Sequence, residues 1–81
     1  MASSSRQRLL EALGEVLRAR REHAGLSQEE LNFQTGVHRT YISELERGIA
    51  NPTIVTLERL AQALGTKPST LLRDMERELD S

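Results

Sequence analysis

The stretch 27–48 most constrains the fold, because it predicts two short helices joined by a tight turn. Ser27 is followed three residues later by Glu30, and this spacing is the capping box that begins a helix. Gly36 ends that helix, since glycine tolerates the left-handed backbone conformation that a sharp turn needs. A second helix is then predicted over about 39–47, up to the glycine that follows it.

Three further helices are predicted around this pair, from apolar residues at helical spacing and from residues that begin or end helices. The first spans about 6–23, the fourth runs from the cap Thr53 to Gly65, and the fifth begins near Pro68. The sequence contains no strand signal and no internal repeat. It therefore predicts an all-α fold of five helices.

Two short helices with a glycine turn form a helix-turn-helix, whose second helix fits the major groove of DNA. We place this motif at about 28–46, within a domain spanning 8–79 that follows a disordered tail over 1–7. A chain of 81 residues suffices for one small domain with a single core. Little of it is left for another activity.

Composition argues against several other classes of protein. The chain has no cysteine and two histidines, so neither a disulfide framework nor a zinc site is expected. No apolar run approaches the roughly 20 residues that span a bilayer, and no signal peptide is visible. No nucleophile–base pair or phosphate-binding glycine loop is present. We expect a cytoplasmic protein that is not an enzyme, needs no cofactor and does not enter the membrane.

The net charge of −1 is unusual for a DNA-binding protein, which generally carries a basic surface. Two explanations are open: balanced charge over the whole surface, or segregation of arginines onto one face. The net charge does not separate these explanations, but it argues against strong non-specific binding to nucleic acid.

The segment from about Leu13 to Leu72 resembles the Cro/C1-type (XRE) helix-turn-helix family, the fold of small phage repressors. The matching residues are Leu13-Gly14, Arg21, Gly25-Leu26-Ser27-Gln28-Glu29-Glu30-Leu31, Gly36-Val37, Tyr41-Ile42-Ser43-Glu44-Leu45-Glu46-Arg47-Gly48, Asn51-Pro52-Thr53 and Leu60-Ala61-Gln62-Ala63-Leu64-Gly65. The run 38–43 is also similar to the controller proteins of restriction-modification systems, which are small homodimeric regulators.

The resemblance implies that residues on the second helix of the motif contact bases. Arginine can donate two hydrogen bonds to guanine, and threonine can bond a base edge or pack on the thymine methyl group. Glu44 could accept from cytosine, although a solvated charge at the edge of the groove is an equal alternative. The predicted base contacts are Arg39, Thr40, Ser43 and Glu44.

A second group of residues is predicted to contact the DNA backbone: Gln28, His38, Tyr41, Arg47 and Asn51. Gln28 lies at the amino end of a helix, where phosphates are commonly held. His38 takes the capping position of the second helix, where protonation would strengthen a phosphate contact. The alternatives are a purely internal Tyr41 and an Asn51 that only orders the turn before proline.

The resemblance further implies an ion pair between Arg21 and Glu46 that orients helices. Three positions depart from the family pattern. Asn32 replaces a small alanine where the two helices touch, so its amide must find a partner or turn to solvent. Phe33 stands where the family is usually polar, and Ala50 lies in a loop that lacks the usual basic residue.

Apolar residues of the last helix are predicted to form a two-fold dimer surface, with ordinary core packing as the alternative. These residues are Leu71, Leu72, Met75 and Leu79. Together the observations predict a homodimeric transcriptional regulator that binds double-stranded DNA at a palindromic operator. The alternatives are the antitoxin of a toxin–antitoxin pair and a helical protein-interaction domain that does not bind DNA.

Overall fold

The structure is a computed structural model that describes residues 2–80, with side chains from Ser5 onward. Over this range the chain folds into five α-helices and contains no strand. The helices are α1 (Ala2–His23), α2 (Gln28–Thr35), α3 (Arg39–Glu46), α4 (Ile54–Ala63) and α5 (Pro68–Asp80). The all-α class and the order of five helices predicted from the sequence are confirmed.

The prediction of a disordered tail over 1–7 is wrong for residues 2–7, because they form the first turns of α1. Met1 lies outside the described residues. Gln7 explains part of the difference, because its side-chain amide donates to Glu11 one turn later, at 3.0 Å. Such pairs stabilise helices by a few tenths of a kcal/mol. The same amide also donates to the carbonyl of Gly48, at 3.3 Å. This second bond anchors the start of α1 on the rest of the protein.

One hydrophobic core joins all five helices. Helix α1 packs against α3 and α5, while α4 bridges α2 and α5. The buried core residues are Leu13, Val16, Leu17, Leu31, Val37, Ile42, Leu45, Leu57, Leu60, Ala61 and Leu71. Helix α2 contributes Leu31 to this core, and α3 contributes Ile42 and Leu45. The two short helices pack against each other, and they also pack against α4 and α1 respectively.

Side chains cap the short helices where the sequence predicts. The Glu30 N–H donates to the Ser27 hydroxyl at 3.0 Å, and the Ser27 N–H donates to the Glu30 carboxylate at 2.8 Å. These bonds with Ser27 lower the pKa of Glu30 below its ordinary value. The Thr53 hydroxyl accepts from the Thr56 N–H at 3.1 Å. The capping box and the predicted start of α4 are therefore confirmed.

The turn between α2 and α3 is held by side chains as well as by its glycine. Gly36 has φ 77°, the left-handed conformation, and its N–H donates to the Asn32 carbonyl. The Asn32 amide donates to the Val37 carbonyl across the turn, at 2.8 Å. The Thr35 hydroxyl donates to the Leu31 carbonyl and accepts from the Val37 N–H. Asn32, the departure from the family pattern, thus closes the turn.

Gly14 allows the carboxyl end of α3 to lie directly on α1. A Cβ atom at this position would lie 2.5 Å from the carbonyl oxygen of Leu45 and 2.6 Å from that of Glu46. Both are backbone atoms, so neither can move away by a change of rotamer. The distance between α1 and α3 is therefore set by the absence of a side chain at Gly14.

We expect Gly14→Ala to lower the free energy of unfolding, although alanine is intrinsically better in a helix by about 1 kcal/mol. The overlap with α3 should cost more than this gain, for a net loss of about 1–3 kcal/mol. Urea unfolding followed by circular dichroism measures the change. A more stable Gly14→Ala variant would contradict the close approach of α1 and α3.

Candidate nucleic-acid interface

The carboxylate of Glu46, at the end of α3, is the polar centre of the helix-turn-helix. Arg21 of α1 binds it with two hydrogen bonds, Nε to Oε2 at 2.6 Å and Nη2 to Oε1 at 2.9 Å. The side chains are 11% and 5% exposed, so the pair is largely shielded from water. The bond with Glu46 raises the pKa of Arg21 above its ordinary value. The structure thus brings together the two residues whose pairing the family resemblance implied.

The same carboxylate also holds Gln28, at the start of α2. The Gln28 amide donates to Glu46 Oε1 at 3.0 Å. Arg21 makes a further bond to the Leu26 carbonyl at 2.8 Å, in the link between α1 and α2. The predicted phosphate contact of Gln28 must therefore use the second hydrogen of its amide, because one hydrogen is already bonded to Glu46.

His38 caps α3 through its imidazole, which accepts from the Thr40 N–H at Nδ1, at 3.1 Å. An accepting Nδ1 carries no proton, so the other ring nitrogen, Nε2, is the donor in the neutral ring. The predicted contact of His38 with the DNA backbone therefore stays a prediction, for which Nε2–H is the available donor.

Arg39 and Thr40 stand exposed at the amino end of α3, as predicted. The Arg39 guanidinium lies 3.6 Å from the Glu29 carboxylate of α2, and the two side chains are 60% and 78% exposed. An ion pair this exposed contributes little to stability. The pair places the guanidinium at the boundary between α2 and α3.

The remaining predicted contacts surround the turn after α3. The Tyr41 hydroxyl donates to the Asn51 carbonyl at 3.1 Å, so it already has an acceptor within the protein. Arg47 bonds the Ser43 carbonyl through Nε at 3.3 Å and is otherwise exposed. Ser43 and Glu44 are half-buried, one turn beyond the exposed end of α3. The roles of these residues toward DNA remain predictions.

Charge is not segregated on this face. Glu29 lies 3.6 Å from Arg39, and Glu44 lies on the same helix as Arg39, just before Arg47. Of the two explanations that the net charge left open, the structure favours balanced charge around α3. Electrostatic attraction to phosphate should accordingly be weak and recognition should rest on geometry.

Phe33 is the other unusual feature near this face. Its side chain is 90% exposed on α2, one turn after Glu29. The structure thus places Phe33 on the surface, in agreement with the position of the usual polar residue in the family.

The predicted dimer surface needs a correction. Leu71 is fully buried at 0% exposure and belongs to the core, so it cannot contact another protein. Met75 is half-buried against the core, and Leu79 is half-buried beside α1. Leu72 is 37% exposed. The apolar residues of α5 do form a stripe, but it mainly contacts α1 and α4 of the same chain.

The exposed part of α5 instead borders an open groove of about 520 Å³ between the beginnings of α1 and α4. We call it the α1–α4–α5 groove. Its apolar lining is Leu9, Leu10, Leu13, Pro52, Ile54, Leu57, Leu72 and Met75. Leu9 is 43% exposed and Ile54 is 70% exposed. This is a cluster of exposed apolar side chains.

Sequence reasoning missed the contacts of three residues that support or border this interface. It assigned Gln7 to the tail, although the spacing of Gln7 and Glu11 is typical of a helical pair. It assigned no role to Glu29 beside Arg39. It left open whether the Asn32 amide has a partner or turns to solvent, and the structure gives it the Val37 carbonyl. Among the described residues, no cluster of three or more acidic, histidine or cysteine side chains is placed to bind a metal, and no helix is long and apolar enough to cross a membrane.

The Helix-turn-helix family profile matches residues 17–71, more than half of the chain. The chain belongs to this family. Its similar relatives include control proteins. One is the control protein C.BamHI of Bacillus amyloliquefaciens, 42% identical over 57 residues that cover 70% of each chain.

Solved structures of helix-turn-helix controller proteins share the fold. The restriction-modification controller protein C.AhdI of Aeromonas hydrophila has a TM-score of 0.74 at 42% identity, covering 76% of this chain and 94% of its own. The controller protein C.Esp1396I, solved as a tetramer with its natural 35 base-pair operator, has a TM-score of 0.80 at 30% identity. The match covers 90% of this chain and 96% of that one.

We expect Arg21→Met to lower the free energy of unfolding by about 3–5 kcal/mol, because the shielded Glu46 carboxylate loses both bonds to its cation. Urea unfolding measures the loss. The double variant Arg21→Met/Glu46→Met should recover part of the stability, since no unpaired charge then remains. A double variant less stable than Arg21→Met would show that the carboxylate tolerates the loss of Arg21.

Proposed function

We propose that this chain is a sequence-specific DNA-binding transcriptional regulator that acts as a homodimer on a palindromic operator, as the controller protein of a restriction-modification system. The observation that carries the proposal is the amino end of α3. Arg39 and Thr40 project there from a helix whose other end is bonded to both α1 and α2 through Glu46. A rigid helix with exposed base-reading side chains at its amino end suits the major groove.

The comparisons support the controller assignment. C.BamHI and C.AhdI are named as control or controller proteins, and C.Esp1396I was solved on an operator. The two solved controller proteins share the fold of this chain, with TM-scores of 0.74 and 0.80. This likeness supports a function in regulating transcription rather than in catalysis, which would place the protein in the cytoplasm with its operator.

Dimerisation is proposed through the α1–α4–α5 groove rather than through the α5 stripe alone. Exposed Leu9, Ile54 and Leu72 line this groove, and clusters of exposed apolar side chains mark interaction surfaces. A two-fold axis there would pair the same residues of both copies. The two α3 helices would then read half-sites about 34 Å apart, one turn of the duplex.

The balanced charge around α3 makes dimerisation more important. With Glu29 and Glu44 beside Arg39 and Arg47, one copy gains little from phosphate attraction. Two tethered copies bind a paired site far more tightly than either does alone. The same balance also favours the rival function, a helical protein-interaction domain, which predicts no operator binding at all.

Arg39→Ala should reduce discrimination between the operator and scrambled DNA by about 1–3 kcal/mol, because a bidentate bond to a guanine would be lost. Fluorescence anisotropy on the duplex upstream of the gene for this chain and on its scrambled version measures the ratio. Arg59→Ala is the matched control, since it removes the same charge from an exposed position on α4.

An unchanged ratio in Arg39→Ala would contradict the assignment of Arg39 as a base contact. If the wild-type chain binds neither duplex, the interaction-domain alternative replaces the regulator. Circular dichroism of each variant checks that the helices are retained.

Leu72→Glu should give a folded monomer with much weaker operator binding, because a carboxylate would be buried at the dimer surface. Light scattering at micromolar concentration should give twice the chain mass for the wild type and the single mass for the variant. Leu71→Glu should instead unfold the chain, since Leu71 is buried in the core. A dimeric Leu72→Glu protein would exclude the groove as the interface.

A further inference from the structure

The second turn of α1 contacts the turn that follows α3. We call residues 47–51 the α3–α4 turn. The Gln7 amide donates one hydrogen to the Glu11 carboxylate at 3.0 Å and one to the Gly48 carbonyl at 3.3 Å. A Cβ atom on Gly48 would lie 2.8 Å from Glu11 Cγ, so the two segments are in close contact. The Gln7 side chain is therefore fixed at both of its donor positions.

The peptide group between Gly48 and Ile49 is consequently held from two sides. Its carbonyl accepts from Gln7 of α1, while its N–H donates to the Glu44 carbonyl of α3 at 2.9 Å. A peptide bonded at both polar atoms cannot rotate without losing both bonds, and Gly48 is buried. Glycine would otherwise permit many backbone conformations at this position.

Other bonds of the α3–α4 turn lead back to α3 itself. The Ala50 N–H donates to the Glu44 carbonyl at 3.3 Å, and the Tyr41 hydroxyl donates to the Asn51 carbonyl. These bonds tie the turn to the helix that it follows. The bond from Gln7 instead comes from α1, so it fixes the position of the turn relative to that helix.

We propose that Gln7 is a positioning residue for DNA binding, which holds the α3–α4 turn so that Arg47 and Asn51 meet the phosphate backbone. The inference rests on the proposed function. Ala50 offers no charge within this turn, so the placement of Arg47 and Asn51 determines what the turn contributes. Gln7 acts through Gly48 and does not itself touch DNA.

The test uses Gln7→Met, which keeps the length of the side chain and removes its hydrogen-bond donor. We expect about 3- to 10-fold weaker binding to operator and to scrambled duplex alike, because phosphate contacts carry no sequence information. The slope of log K against log salt should become shallower by about 0.9 for each phosphate that the protein no longer neutralises. This slope does not depend on the fraction of folded protein, so a merely structural role would leave it unchanged.

Two further variants complete the experiment. Gln34→Met makes the same replacement at an exposed position on α2 and should leave both affinity and slope at the wild-type values. In a chain that already carries Arg47→Ala, Gln7→Met should have less than half of its effect, because the residue that it positions is gone.

Wild-type binding with an unchanged salt slope in Gln7→Met overturns the positioning role and leaves the proposed function intact. If the losses of binding free energy caused by Gln7→Met and by Arg47→Ala are fully additive, the positioning role is overturned as well. If the wild-type chain binds neither duplex, the proposed function fails, and the positioning role fails with it.

Discussion

The Glu46 carboxylate is the interaction on which the geometry of the interface depends. It lies at the end of α3 and accepts from Arg21 of α1 and Gln28 of α2. Because its side chain is shielded from water, losing Arg21 would leave a charge that no cation compensates. Gly14 makes the arrangement sterically possible, since it lets the α3 carbonyls approach α1. The Glu46 carboxylate and the absence of a side chain at Gly14 thus determine the position of α3 against α1 and α2.

The face that α3 presents combines a rigid helix with a balanced charge. Arg39 is held near Glu29, His38 uses one imidazole nitrogen as a cap, and Tyr41 is bonded to the turn beyond it. Much of the hydrogen-bonding capacity of this surface is therefore committed within the protein. Such a surface depends on the positions of its hydrogen-bonding groups more than on electrostatic attraction to phosphates. This suits a regulator that must avoid binding non-specific DNA.

The family, the helix order and the caps could be predicted because their signals are local. A serine three residues before a glutamate, or a glycine after a short helix, acts within a few residues. The amide of Asn32 illustrates the limit. Its need for a partner follows from its position, but the partner, the Val37 carbonyl, depends on the path of the turn. The base and backbone contacts with DNA are still predictions, since they require the duplex.

The amino-acid sequence by itself determined five helices, the turn at Gly36 and the residues displayed near the start of α3. The tertiary structure alone decided that Leu71 is buried while Leu72 is exposed, because adjacent helical residues point about 100° apart and only packing selects the inner one. It also decided that Gln7 belongs to the folded domain. The Gly48 carbonyl that holds Gln7 lies 41 residues away, and no local pattern contains a partner at that separation.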